Sequence, residues 1–599
     1  MFDPAADAPS DAPSEAPSDA PSDLARDQQA SRRLISASAI MVSGTLVSRV
    51  LGFGRFVLLA YLFGIGTRQA DMFAVANTVP NSMYILLAGG VLTTVLVPQI
   101  VRAVHQDRDR GAAYTNRILT GGLIVLFVIT VALTLAVPLI IDLFTAGGWR
   151  EPQLAGQYAS MTTLAYYCMP QVFFYGVFVL VGQVLNAHDR FGPMMWAPIA
   201  NNLVSIAVLL VFLGVFGQTD AGAPFTPGQE LVLGLGSTLG IAVQAAVLVP
   251  YLRAAGYPFR PRLDFLHTGL GQTARLAKWA LGFVLVNQAG MVIINKVASA
   301  ATVQGSGGGV AAYTYAYALW IIPHSLITVS LATAMLPSAS RLALAGDLAG
   351  TAAEVNRTLR LTLTALLPAS VGLLIFGVPI ARLVFGFGTG QRDADFAGWA
   401  LMAFAVGLVP FTCQYVCQRA FYALENTRTP FFLQVLITVL NVALGVALAF
   451  LVAVDALVAA CLAGGYTLAY AAGAVVSLRR LQRDLPTLAL RPLVQLSVRL
   501  VAAVVPGAVV VGAAVWWVES SQPSQLVRAA TLTVAGVVAI GAFVLLARVI
   551  GIGEVTEIIT TLGRRGGSDG GAAPPAASMR KQQKERGAGG SGAARGSQS

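Results

Sequence analysis

Apolar segments of about 20 residues or more recur along almost the whole of this chain, and that recurrence limits its fold more than any other feature. A bilayer's hydrocarbon layer is about 30 Å thick and takes about 20 helical residues to cross. Inside it every backbone N–H and C=O must be paired within the protein. Without the period-2 alternation of strands, only helices can do this. Fourteen such segments occur, at about 35–64, 71–101, 118–145, 158–187, 193–217, 229–252, 276–303, 310–340, 361–387, 396–423, 430–453, 456–478, 492–518 and 528–550. Charged residues make up only 11% of the chain, against about a quarter in soluble domains. An ordinary globular, disordered or coiled-coil protein is excluded. The expectation is an all-α polytopic membrane protein with 14 transmembrane helices.

The two ends differ from this core. Residues 1–33 carry seven acids and three bases, with an APSD/APSE repeat from Ala8 to Asp23, and residues 563–599 are Gly/Ala/Ser-rich with seven bases and two acids. Neither can bury enough apolar surface to offset its ordering entropy, so both read as disordered tails. An acidic start is also unlike the basic first region of a signal peptide. With the N-terminus inside, the cytoplasmic loops hold 18 Lys and Arg residues, and the opposite loops hold four: Arg68, Arg150, Arg392 and Arg528. That asymmetry places both termini in the cytoplasm of a plasma membrane. The net charge of +11 is then topology plus attraction to anionic membrane lipids, and nucleic acid is not needed to explain it. Cys413 and Cys417 lie one helical turn apart, but no His or acid stands at ligand spacing, so the cysteines read as buried thiols and no metal is expected.

Two segments recur at long range. Pro80-Asn81-Ser82 opens a run closing at Pro98, and Pro323-His324-Ser325 opens one closing at Pro337. Pro170 leads to LNAHDRFGP ending at Pro193, and Pro410 leads to ALENTRTP ending at Pro430. The offsets, 243 and 240 residues, imply duplication of a six-helix unit. Six spans is an even number, so the copies point the same way: an N-lobe (34–255) and a C-lobe (256–490) in parallel repeat, with a site between them at mid-depth. Two extra C-terminal helices, over 491–552, fall outside the duplication. This is transporter architecture, although channels and membrane enzymes also contain six-helix repeats.

A charge inside a span is costly unless it faces water or a partner, so each one is informative. Helix 1 carries Arg49 and Arg55 in the stretch Ser48-Arg49-Val50-Leu51-Gly52-Phe53-Gly54-Arg55, with Asp71 starting helix 2. The six-residue spacing turns the arginines away from one narrow face, and Gly52 and Gly54 would permit a bend bringing both into one cavity. Guanidinium suits bidentate binding of a phosphate or pyrophosphate. The competing reading is an interhelical Arg–Asp lock with Arg55 snorkelling outward. Ser48 and Asn81 join the candidate site. Lys296 and Asn441 are accessory candidates on a possible ion path, although Lys296 at an outer helix end can simply snorkel. Pro80 and Pro323, with Gly52 and Gly54, are candidate hinges, and Pro170 and Pro410 candidate bends. No catalytic constellation and no P-loop is present, so no enzyme activity or cofactor is expected. Active transport would draw on an ion gradient, the membrane potential or consumption of product; a coupling cation stays open.

The run SRVLGFGR (Ser48 to Arg55), the turn at Phe63-Gly64 and Gly66, Asp71, Pro80-Asn81, LNAHDRFG followed by Ala197-Pro198, Leu336-Pro337 and FYALENTRTP (Phe421 to Pro430) resemble MurJ/MviN-type lipid II flippases of the MOP superfamily. The resemblance runs in order over about 35–550. It implies fourteen helices and movement of the undecaprenyl-pyrophosphate-linked peptidoglycan precursor to the outer leaflet of the bacterial plasma membrane, for cell-wall synthesis. It also implies an alternating-access cavity that holds the head group and a lipid-tail groove on helices 13 and 14. The family's helix 1 arginines fall on Arg49 and Arg55, and an acid falls on Asp71.

There are departures. Where well-studied members carry an acid after the second arginine, this chain has Phe56. A helix 2 arginine of the family falls on Tyr84 and an acid on Gly89, and the charged residues of helix 8 fall on Tyr317, Ala318 and Ile321. Either the helix 1 arginines suffice, with Lys296, or another polyprenyl-linked oligosaccharide is exported. A non-transporting scaffold for envelope synthesis, docking cell-wall proteins through the basic tail, is the third reading. A multidrug antiporter is disfavoured, because its cavity should carry acids for cationic drugs.

Overall fold

The computed structural model describes residues 43–86, 112–188, 190, 192–256, 259–264, 270–305 and 307–556, with backbone alone over 270–277. Both sequence tails, Gly89 and Pro98 lie outside the described residues. Among those described there is no strand. The helices are α1 (Ser43–Phe63), α2 (Arg68–Leu86), α3 (Ala112–Leu135, continued by Val137–Phe144), α4 (Pro152–Ala187), α5 (Gly192–Phe216), α6 (Pro227–Ala254) and α7 (Leu270–Ala298). There follow α8 (Val310–Leu344), α9 (Leu348–Phe385), α10 (Ala394–Ala423), α11 (Arg428–Val452), α12 (Val458–Asp484), α13 (Leu490–Ser520) and α14 (Gln525–Ile550).

Thirteen of these are long and apolar enough to cross a membrane, one fewer than expected. The exception is α2. Arg68, Gln69, Asp71, Asn77 and Asn81 dilute its apolar character, and the expected continuation to 101 lies outside the described residues.

Local chemistry sets the boundaries. Thr226 and Gln229 form a capping box before Pro227 and start α6, and the Asp347 carboxylate accepts the Gly350 N–H to start α9. Proline acts unevenly. α4 is interrupted between Cys168 and Gln171, where Pro170 lacks an N–H, and a wide π turn over His324–Thr328 follows Pro323 in α8. Pro80 and Pro410 sit inside continuous helices, and α1 likewise runs unbroken through Gly52 and Gly54.

Helix pairing repeats after six elements. In the first group α4 packs on α2, α3 and α6, and α5 on α6. In the second, α10 packs on α8, α9 and α12, and α11 on α12. α1 meets α5 where Asn202 Nδ2 donates to the Ser48 carbonyl at 2.8 Å, and α7 meets α11 correspondingly. Outside both groups, α13 packs on α9 and α14. A four-residue ion network fastens this pair. Arg382 donates to both oxygens of Asp395 at 2.6 and 2.7 Å and to Glu519 at 3.2 Å, and Arg528 donates to Glu519 at 2.7 Å.

Candidate substrate site

Between the two groups lies a cavity of two chambers. The first, about 200 Å³, is enclosed mainly by the N-terminal group: Arg55 and Phe56 of α1, Asn77, Thr78 and Asn81 of α2, Gln171 and Tyr175 of α4, and Asn201 and Ser205 of α5. Among the described residues, Arg55 is the one ionic side chain in its wall. Its guanidinium lies 5.5 Å from the Phe56 ring centroid, and its Nε is buried without a hydrogen-bond partner. A buried cationic donor with nothing to bind is expensive, and an anionic ligand would relieve that cost. Phe56, which stands where the family has an acid, offers the guanidinium a ring face instead of a counter-charge, so its charge stays available.

The second chamber, about 440 Å³, belongs mainly to the C-terminal group and has no charged side chain in its wall among the described residues. Tyr313 and Tyr317 of α8, Phe411, Gln414 and Gln418 of α10, Gln434, Thr438 and Asn441 of α11, and Tyr466 and Tyr470 of α12 line it. Tyr466 and Tyr470 lie with ring centroids 4.5 Å apart, and Tyr470 meets Phe411 at 5.0 Å. Two acceptors, Gln414 Oε1 and Asn441 Oδ1, are buried without partners. Aromatic faces with amides between them are chemistry for a neutral, hydroxyl-rich ligand. Asn81 and Thr314 line both chambers, so the two meet there.

Of the residues expected at the site, Arg55, Asn81 and Asn441 line this cavity, and the others do not. Arg49 is exposed and lines neither chamber; six residues along an uninterrupted α1 place it on a different side of the helix from Arg55. Ser48 is engaged by Asn202 on α5. Lys296 lies in the last turn of α7, where Nζ donates to the Asp142 carbonyl at 3.2 Å, away from both chambers. Asp71 pairs with neither arginine. It is fully buried, and its carboxylate accepts the N–H groups of Val310 at 3.1 Å and Ala311 at 2.8 Å and the Thr302 hydroxyl at 2.9 Å. Tyr84 stacks on Tyr175 with centroids 4.7 Å apart, and Tyr317 lines the neutral chamber.

Asp71 belongs to a seal that closes one end of the cavity. There Arg68 donates to the carbonyls of Thr302 and Val303 at 3.2 and 2.7 Å, and the Gly307 N–H to the Gly66 carbonyl at 3.0 Å. The Trp149 indole donates to the Ser299 carbonyl at 2.8 Å, and Thr389 to the Leu62 carbonyl at 3.2 Å. Gly66 has no room for a side chain: a Cβ would sit 2.7 Å from the Gly307 carbonyl oxygen and collide with the Phe396 ring. The sequence reading reached the neutral chamber only through Asn81 and Asn441, because none of its described residues is charged. Its trace was the helical spacing of Gln434, Thr438 and Asn441 in an otherwise apolar segment, a polar stripe on one face.

The family model described as lipid II flippase MurJ matches residues 59–535. A relative from Rhizobium meliloti (strain 1021), described as a probable lipid II flippase MurJ, is 29% identical over 532 residues, covering 87% of this chain and 94% of its own. A solved structure of lipid II flippase MurJ in an inward closed conformation superposes with a TM-score of 0.66 at 17% identity, over 85% of this chain and 99% of that one. An inward-facing multidrug resistance MATE transporter of the MOP superfamily shares the fold, with a TM-score of 0.58 at 15% identity over 75% of this chain and 98% of its own.

Proposed function

The chain belongs to the MurJ lipid II flippase family, and from that membership we propose that it carries lipid II from the inner to the outer leaflet of the bacterial plasma membrane. It does so as a transporter, not an enzyme, by alternating access between two six-helix lobes. The observation that carries the site assignment is Arg55: a guanidinium in the wall of an internal chamber, with its Nε buried and unpaired. Pyrophosphate supplies the acceptors that Arg55 lacks, in bidentate geometry. The adjoining neutral chamber takes the sugar and peptide part of the head group, with Gln414 and Asn441 accepting from its hydroxyl and amide donors and the tyrosines packing on the rings.

The sealed end carries Arg68, Arg150, Arg392 and Arg528, the four bases of the base-poor side, so it faces outward and the conformation is the one loaded from the cytoplasm. Flipping then requires the Asp71 seal to part while the opposite end closes. The test is exposure of lipid II on the outer leaflet of cells depleted of their own flippase. The wild-type chain should restore it, and an equally expressed Arg55→Ala variant should not. Rescue by both would remove Arg55 from the site, and rescue by neither would point to a different polyprenyl-linked substrate.

A further inference from the structure

The chamber that holds Arg55 is walled almost wholly by the first lobe. Among the described residues, the second lobe sends only Thr314 and Tyr315 into it, both on α8. Tyr315 is 4% exposed, and its ring is fixed on two sides. It meets Phe56 of α1 edge-on with centroids 5.2 Å apart, and Phe385 of α9 at 5.5 Å. Phe56 is also the ring against which the Arg55 guanidinium lies. Arg55 and Tyr315 therefore share one aromatic support from opposite lobes, and the charge of Arg55 reaches the Tyr315 hydroxyl.

That hydroxyl makes no hydrogen bond to any described residue. A phenol held in a cavity wall with its O–H unpaired lacks an acceptor. Asp71 is the one described carboxylate whose charge also reaches it, and that carboxylate is already engaged by Val310, Ala311 and Thr302.

We propose that Tyr315 is the second lobe's contact with the pyrophosphate: its hydroxyl donates to the phosphate group that Arg55 grips from the first lobe. The inference rests on the reading of this chamber as the pyrophosphate site. A phenol suits the place, because its O–H forms a short charge-assisted bond to a phosphate oxygen yet carries no charge to desolvate while the chamber is empty. Tyr315 also stands one helical turn beyond Ala311, whose N–H is capped by Asp71. A substrate held by both groups spans the lobes and bears on the helix that the seal holds.

The experiment measures dissociation constants for lipid II on the purified full-length chain in detergent, as wild type, Tyr315→Phe, Arg55→Ala and the double variant. Tyr315→Phe keeps the ring packed on Phe56 and Phe385 and removes the hydroxyl alone. It should weaken binding roughly tenfold, the lower range for a hydrogen bond to a charged group. On the Arg55→Ala background the same change should cost less than about twofold, because the phosphates are then no longer held against the phenol. A merely structural tyrosine would cost the same on both backgrounds. Binding by Tyr315→Phe as tight as wild type, or a loss undiminished on the Arg55→Ala background, would overturn the Tyr315 contact and leave the reading of the chamber standing. Failure of the wild-type chain to bind lipid II would overturn the chamber as the pyrophosphate site, and the Tyr315 contact with it.

Discussion

Asp71 Oδ1 accepts the backbone N–H of Ala311 at 2.8 Å, joining positions 240 residues apart in the chain. With the bond to Val310, the carboxylate caps the start of α8 from the opposite lobe, where the unpaired N–H groups and positive end of the helix dipole favour an anion. Gly309 makes this possible, because a Cβ there would collide with the Asp71 carboxylate. One side chain therefore ties the sealed end of the first lobe to the second, and the proposed alternating access requires it to let go.

Asp71→Ala leaves two buried N–H groups unpaired, at about 1–3 kcal/mol each, and the Thr302 hydroxyl with only its 3.4 Å bond to the Ser299 carbonyl. The expected outcome is loss of flipping with lipid II binding to the purified protein retained, since Asp71 touches neither chamber. Abolished binding would return Asp71 to the substrate site.

Arg55→Ala should weaken lipid II binding by roughly 10- to 100-fold, the range for losing charge-assisted hydrogen bonds to phosphate. Arg55→Lys should recover only part, because an ammonium cannot form the bidentate fork. Arg49→Ala should cost clearly less. Equal losses at both positions, measured as dissociation constants in detergent, would contradict the divergence of the two arginines along α1.

The seal can be locked. The Ala146 N–H donates to Ser299 Oγ at 2.8 Å, so covalent geometry keeps the two Cα atoms within about 6.7 Å, inside the range a disulfide spans. An Ala146→Cys/Ser299→Cys pair should oxidise readily in membranes, stop flipping, and be released by reductant. Flipping that continues in the oxidised protein would show that this end need not open.

Glu519 and Arg528 are 9% and 8% exposed and share the network with Arg382 and Asp395. Glu519→Ala strands a buried guanidinium, so thermal unfolding should register a loss of roughly 3–5 kcal/mol. Glu519→Leu/Arg528→Leu should regain most of it, because removing both charges abolishes the desolvation cost.

The helices, the multi-pass membrane class and the candidacy of Arg55 were legible in the residue order, as was a six-helix period that the helix pairing repeats. Each rests on a local or periodic property: length of apolar run, side of the base-rich loops, spacing of prolines, a charge within a span. Asp71 was recognised as a buried acid whose cost demands an explanation, but its partners were assigned to the arginines. They are backbone groups of α8, which carry no sequence signal of their own.

Sequence by itself determined that this chain is a helical membrane protein of the flippase family with a cation held in its first helix. A span needs only enough apolar residues, and a guanidinium is charged wherever it lies. Tertiary structure alone decided which arginine lines the central chambers, that Lys296 and Asp71 serve the seal, and that uncharged residues from six helices make a second chamber. Those outcomes depend on helix rotation and on packing between positions 154 to 240 residues apart, where the energy lies in the contact and in neither residue alone.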